Sequence, residues 1–297
     1  MFGSLAPFPT VGRFQYVSFP HCAFNCALCL VHTLKTTLRS TAAEARIETQ
    51  TMNFYSDETY GERVAGVYDD WHTDVDPHAI DRLVELATEG RALELGIGTG
   101  RVALPLSSRN VDVSGIDAAE SMIGRLKSKE GGERIKIYKG SFADVAVEGE
   151  FQLVYVVFNT FFALGSQNEQ VRCFRNVAKH LARSGCFVIE AFVPNLNRFT
   201  GGQVNWATKV TEDVVELDVG RHDSVTQRVT SQKVVLKDGE EVRLYPVQIR
   251  YAWPSEIDLM AQLAGMRLRE RWSSWQRTPF DADSGKHVSV YERDAPK

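Results

Sequence analysis

Between residues 76 and 199 the apolar positions switch repeatedly between two periods. Short, mainly apolar runs at Ala92–Leu95, Val111–Ile116, Ile135–Tyr138, Phe151–Phe158 and Cys186–Glu190 have the length and continuity of strands buried on both faces of a parallel sheet. Helical spacing fills the gaps. Asp76-Pro77 offers an N-cap and an N1 proline before a stripe of Ile80, Leu83, Val84 and Ala87, closed by Gly90. Val102, Leu104 and Leu106 mark the next helix, and Glu120 to Lys129 another. The capping box Ser166-x-x-Glu169 opens a further one through Leu181, turned by Ser184-Gly185 into the strand that follows. Alternating strands and helices predict an α/β domain with helices on both faces of a mostly parallel sheet.

The period changes from about 200 to 253. Asn205–Val210, Val214–Gly220, Val225–Leu236 and Val242–Trp253 are rich in β-branched residues, with an Asp238-Gly239 turn before the last. No helix separates them, which predicts an antiparallel insert after the fifth strand. Tyr245, Val247, Ile249, Tyr251 and Trp253 share one face, either as simple packing or as walls of a substrate pocket. Pro254-Ser255-Glu256 then opens a last helix through Ala264, with Gly265 as its cap, and Leu268–Trp275 and His287–Tyr291 read as two closing strands.

Residues 1–51 do not share this patterning. They hold Pro7, Pro9 and Pro20, no acidic residue before Glu44, and no sustained period. Met52-Asn53-Phe54-Tyr55 looks like a natural start. The expected division is a weakly ordered extension over 1–51, an α/β core with an N-terminal helix over 52–199, the antiparallel insert over 200–253, and the returning helix and hairpin over 254–297.

Composition narrows the partners. A net charge of −4, with seven Lys/Arg against eight Asp/Glu in 201–250, argues against a nucleic-acid clamp or an anionic membrane surface. No apolar run spans a bilayer and no secretory signal is visible, so a cytoplasmic protein is expected. Five cysteines are not a disulfide framework, and Cys173 and Cys186 lie in apolar surroundings as inert core thiols.

The chemistry concentrates at Ala92-Leu93-Glu94-Leu95-Gly96-Ile97-Gly98-Thr99-Gly100-Arg101. A strand stops at a glycine turn and a helix resumes, a junction suited to an adenosine-containing ligand because glycines admit close approach and the helix start offers free N–H groups. The spacing Gly96-x-Gly98-x-Gly100 is one residue shorter at its end than the dinucleotide fingerprint, and no P-loop lysine follows. Twenty-one residues past Gly96, the second strand ends at Asp117, where a carboxylate can accept from both hydroxyls of a ribose.

The pair E-L-G-x-G-T-G-R and G-I-D resembles the class I S-adenosylmethionine (SAM) dependent methyltransferases, over roughly 60–293. The resemblance implies a Rossmann-like, seven-stranded, mostly parallel sheet with an antiparallel last strand. It implies SAM as methyl donor, S-adenosylhomocysteine as product, and no metal. Glu94, Gly96, Gly98, Gly100 and Asp117 would bind SAM. The family often has an acidic residue after the strand-3 glycine, to meet the adenine amino group; Ser141 stands there instead, leaving Ser141, Phe142 and Asp144 as alternatives. Phe158 and Asn159 end the central strand and should border the transferred methyl, where the Asn/Asp-Pro-Pro-Tyr/Phe motif of nucleic-acid amine methyltransferases is absent. Tyr60 and Tyr68, on the helical stretch Tyr60–Trp71, are candidate lid residues over the methionine end.

Candidate bases are Tyr60, Tyr68, His72, Glu190, His222 and Tyr251, with His222 expected in a solvated turn. The insert resembles that of small-molecule N-methyltransferases, which implies a small-molecule acceptor, nitrogen ahead of oxygen, and a monomer or homodimer. Competing readings are a nicotinamide-dependent oxidoreductase, a SAM-binding regulatory protein without turnover, and an iron–sulfur enzyme using Cys22-x3-Cys26-x2-Cys29, the spacing of radical SAM proteins.

Overall fold

The computed structural model describes residues 55–294. The proposed extension over 1–51 and the Cys22, Cys26 and Cys29 cluster lie outside these residues.

Two short helices come first, α1 (Thr59–Val64) and α2 (Tyr68–Trp71), where the spacing had suggested one. Then follow α3 (Pro77–Ala87), β1 (Ala92–Leu95), α4 (Ala103–Ser108), β2 (Val113–Asp117), α5 (Glu120–Ser128), β3 (Lys136–Lys139), β4 (Phe151–Val156), α6 (Gln167–His180) and β5 (Leu181–Phe192). The caps act as their residue types dictate: Asp76 accepts the His78 N–H at 2.9 Å, and Ser166 accepts that of Glu169 at 3.2 Å. One boundary differs. β5 begins at Leu181 directly after α6, and Ser184-Gly185 lies inside the strand where its register against β4 shifts.

The insert forms β6 (Gln203–Val210), β7 (Val214–Asp223), β8 (Arg228–Lys237) and β9 (Arg243–Arg250), an antiparallel four-stranded sheet in that order. After it come α7 (Pro254–Leu263), β10 (Met266–Trp272) and β11 (Lys286–Arg293). The main sheet has seven strands in the order β10-β11-β5-β4-β1-β2-β3. Strands β1 to β5 are mutually parallel, and β11 runs antiparallel between β5 and β10. The strand order reverses between β1 and β4, so the carboxyl ends of these two strands open the crevice where α/β sheets bind ligands.

Alternate residues of the central strands serve opposite cores. Leu93, Leu95, Val154, Val156, Phe187 and Ile189 face Phe174 and Val177 of α6 and Ile257 and Met260 of α7. Ala92, Leu153, Tyr155 and Val188 face α3, α4, Trp272 and Trp275. Each such fully buried Leu, Val or Phe contributes about 1.5–3 kcal/mol, which makes this sheet the rigid platform for the loops above it. Cys173 and Cys186 are buried, and burial pushes both thiols up, Cys186 to about 11. Among the described residues no helix is long and apolar enough to cross a membrane.

Candidate active site

The glycine loop leaves β1 in a left-handed conformation at all three glycines, with φ of +70°, +57° and +79° at Gly96, Gly98 and Gly100. A Cβ at Gly96 would lie 2.5 Å from Thr160 Cγ2, so that glycine lets the loop close against the end of β4. At Gly98 a Cβ would meet nothing within 4 Å, and this is the open side of the turn. Asp117 braces it from β2: Oδ2 accepts the Gly98 N–H at 2.7 Å and Oδ1 that of Ala119 at 2.9 Å. Burial raises the Asp117 pKa, and those backbone donors oppose the shift. Open space over Gly98 beside a carboxylate at the end of β2 fits an adenosine ribose.

Beneath the loop, Glu94 is buried and accepts from the Tyr155 hydroxyl at 3.0 Å. Desolvation pushes its carboxyl up to about 8, so the neutral acid predominates at pH 7.

Phe142 closes another side: its ring edge would lie 3.7 Å from a Cβ at Gly96. Ser141 Oγ accepts the Ala143 N–H at 3.4 Å. Asp144 is drawn away to α6, where it pairs with Arg172 at 2.7 Å.

The end of β4 is strained. Phe158 and Asn159 have φ of +55° and +66°, an arrangement that costs non-glycine residues about 1–3 kcal/mol each. β5 holds it in place. The Phe158 N–H donates to Glu190 Oε2 at 3.3 Å, the Asn159 N–H to the Glu190 carbonyl at 3.2 Å, and the Phe192 N–H to Asn159 Oδ1 at 2.7 Å. Glu190 is 6% exposed and also accepts from Trp275 Nε1 at 3.1 Å and Lys286 Nζ at 3.4 Å. Its carboxylate is thus a junction of three donors under the turn.

Helices α1 and α2 lie over the loop. Glu62 on α1 accepts the Ser121 N–H at 3.0 Å, and Gly61 lets α1 approach Ala119, whose Cβ would be 2.4 Å from any Cβ there. Asp69 on α2 accepts the Thr99 hydroxyl at 2.6 Å and pairs with Lys129 at 2.9 Å. Tyr60 and Tyr68 are pushed up chiefly by burial, so both phenols stay protonated across the physiological range. The His72 ring meets that of Tyr68 at 4.7 Å in a tilted arrangement, and burial lowers the His72 pKa. Arg101, half-buried, lays its guanidinium 3.6 Å from the Phe158 ring centroid and 5.8 Å from that of Tyr68.

The insert packs on these two helices. Trp71 meets Tyr245 edge-on at 4.7 Å, and Tyr60, Val67 and Tyr68 join the same cluster. One sheet face carries a second pair. His222 lies within β7, not in a turn, because β7 runs on to Asp223 and pairs His222 with Val229. Val229 in turn pairs with Ile249, and both pack against the core holding Phe161 and Phe162, just past the end of β4. On that face the Tyr251 hydroxyl and His222 Nε2 share a hydrogen bond of 2.9 Å, with Phe199 stacked on the imidazole at 4.7 Å. Tyr251 is 3% exposed and burial raises its pKa.

A family model described as a methyltransferase domain matches residues 92–185, the stretch from β1 into β5. The structure of the CcbJ methyltransferase from Streptomyces caelestis is 36% identical, with a TM-score of 0.76, covering 81% of this chain and 100% of that one. The chain belongs to the class I SAM-dependent methyltransferases. The nicotinamide oxidoreductase reading is thereby overturned. Among the other methyltransferases it resembles, the cypemycin N-terminal methyltransferase of a Streptomyces species is 26% identical over 214 residues, 69% of this chain and 84% of that protein. The sugar N-methyltransferase KedS8 from Streptoalloteichus sp ATCC 53650 shares the fold, with a TM-score of 0.59 at 15% identity, covering 82% of this chain and 97% of that one.

Two residues that contact the glycine loop or the end of β4 were not singled out in the sequence. Arg101 had been read only as the end of the loop motif, and Asp69 was not singled out within the stretch Tyr60–Trp71. The signals were faint: a basic residue directly after the third glycine, and an acid on a short helix whose partner lies 30 positions away.

Proposed function

We propose that this methyltransferase transfers the methyl group of SAM to a nitrogen of a small-molecule metabolite. SAM supplies an electrophilic methyl, and S-adenosylhomocysteine is released. Asp117 would hold the ribose hydroxyls, with Gly96, Gly98 and Gly100 giving backbone access. Ser141 and the Phe142 ring would receive the adenine. Glu94, Phe158 and Tyr60 would border the methionine end, and the α1–α2 lid would exclude water. In-line displacement needs mainly orientation and a deprotonated nucleophile.

The single observation that carries this reading is the open left-handed turn at Gly98, braced by Asp117 and roofed by the tyrosine-bearing lid. The acceptor side is assigned to Asn159, Tyr68 and the His222–Tyr251 pair on the insert. Nitrogen is favoured because KedS8 is named a sugar N-methyltransferase and the cypemycin relative an N-terminal methyltransferase. Glu190, which accepts from the Phe158 N–H, Trp275 Nε1 and Lys286 Nζ, would position the β4 turn that borders the acceptor.

The test is transfer of labelled methyl from SAM to parallel panels of amino sugars, amino acid derivatives and short peptides, and of alcohols and phenols lacking an amine. Label appearing in amine products alone supports the reading. Label entering only the hydroxyl panel sinks the nitrogen assignment.

A further inference from the structure

Tyr251 stands one residue past Arg250, the end of β9, whose partner Arg228 is the first residue of β8. What holds it there is Gln227. The Gln227 carbonyl accepts the Tyr251 N–H at 3.1 Å, and Gln227 Nε2 donates to the Tyr251 carbonyl at 3.0 Å, so one residue brackets both sides of the other. Gln227 does this from a left-handed backbone, φ +57°, which a non-glycine residue keeps only where its surroundings impose it.

A polar network beneath ties the bracket to the core. Gln227 Nε2 also donates to Glu256 Oε2 at 2.9 Å, and Gln227 Oε1 accepts from Arg250 Nη2 at 3.3 Å. Arg250, 5% exposed, donates to Glu256 Oε1 at 2.7 Å and to Gln170 Oε1 at 2.5 Å. Gln170, fully buried on α6, donates back to the Arg250 carbonyl at 2.8 Å. The residue before β8, the end of β9, α6 and the start of α7 therefore converge on the Tyr251 backbone. Its hydroxyl, at the far end of the side chain, meets His222 Nε2 at 2.9 Å, and a bond that short survives only if the backbone carrying the phenol is held still.

We propose that Gln227 is a positioning residue of the acceptor side, which by bracketing the Tyr251 backbone sets the phenol against His222. This deepens the reading of the Tyr251–His222 pair as acceptor machinery and rests on it. Changing Arg250 or Glu256 would leave the opposite charge without its partner in a buried setting. Gln227 is neutral, so its amide can be removed while that ion pair stays.

Nuclear magnetic resonance of the full chain carrying isotope-labelled histidine tests it. The His222 imidazole signals are identified by their loss in His222→Asn, and Tyr251→Phe gives their displacement once the shared bond is gone. Gln227→Ala should reproduce most of that displacement. Asp76→Ala, which weakens the cap of α3 on the opposite face of the main sheet, should leave the signals in place. Thermal melts establish that each variant is folded, and Gln227→Asn, whose amide is one methylene shorter, carries the comparison if the alanine variant is not. Unmoved His222 signals in the folded Gln227 variant, equal movement in Asp76→Ala, or no displacement in Tyr251→Phe would each overturn the inference. Turnover of an amine acceptor separates it from the reading it rests on. Gln227→Ala and Tyr251→Phe should both lower kcat, by about 10-fold or more, and displaced signals with undiminished turnover in both would overturn the acceptor reading while the bracket on Tyr251 stands.

Discussion

The Asp69 carboxylate accepts the Thr99 hydroxyl at 2.6 Å, fastening the short helix α2 to the glycine loop from 30 residues away. Thr99 is fully buried, and Lys129 bridges the two by reaching both Asp69 and the Thr99 carbonyl at 2.9 Å. Helix α2 is therefore latched to the glycine loop. Asp69→Ala leaves the buried Thr99 hydroxyl without its acceptor and Lys129 with only the Thr99 carbonyl, at a cost of about 1–3 kcal/mol. On the proposed lid role of α2, the loss should appear as faster release of S-adenosylhomocysteine in stopped-flow measurements. An unchanged release rate would separate the lid from cofactor retention.

Glu94 sets a pH dependence. Its folded pKa of about 8 lies above the ordinary 4.5, so the folded chain binds more protons than the unfolded one between those values. Its contribution to stability is therefore fully present below pH 4.5 and is lost as pH rises to about 8, with a slope of at most about 1.4 kcal/mol per unit. Urea unfolding across this range should show the decline in wild type and a flatter profile in Glu94→Gln. Ligand binding bears the opposite sign. A cationic ligand favours ionised Glu94, so SAM affinity should climb with pH toward 8, with proton release visible as a buffer-dependent binding enthalpy.

The β4 turn predicts an order of stabilities. Asn159→Ala loses the bond to Phe192 and keeps a Cβ at φ +66°, and should cost about 1–3 kcal/mol. Asn159→Gly loses the same bond but relieves the strained φ, so it should be the milder change. Chemical denaturation of both variants checks the order, and a glycine variant less stable than the alanine one would contradict it.

Much of this fold was legible because its signals are local. The loop glycines, Asp117, the Asp76 and Ser166 caps and the period change after residue 200 each declare themselves within a few positions. What the sequence hid depends on partners far along the chain. Arg101 acquires its meaning from Phe158, Asp69 from Thr99, and Glu190 from Trp275, 85 positions away. His222 was misplaced because strand β7 is prolonged past Gly220 by pairing with β8, which no periodicity within β7 reveals. Likewise, β5 starts early because β4 offers a partner to Leu181, overriding the turn residues Ser184-Gly185.

The Tyr251 and His222 pair predicts coupled effects on the acceptor side. With an amine acceptor in hand, Tyr251→Phe and His222→Ala should each lower kcat/KM for that acceptor by about 10- to 100-fold. The double variant should be no worse than either alone, because a shared hydrogen bond is lost once. SAM affinity should stay as in wild type. Additive losses in a steady-state comparison of the four proteins would show that the two residues act separately.

The central claim is that the loop and Asp117 form a SAM site. Calorimetry of the full chain with SAM, S-adenosylhomocysteine and NADH, beside Asp117→Ala and the more conservative Asp117→Asn, tests it most directly. The account predicts binding of the first two, none of NADH, and weaker binding in both variants with Asp117→Ala the more affected, while melts confirm that they are folded. NADH binding without SAM binding, or SAM affinity indifferent to Asp117, would contradict it.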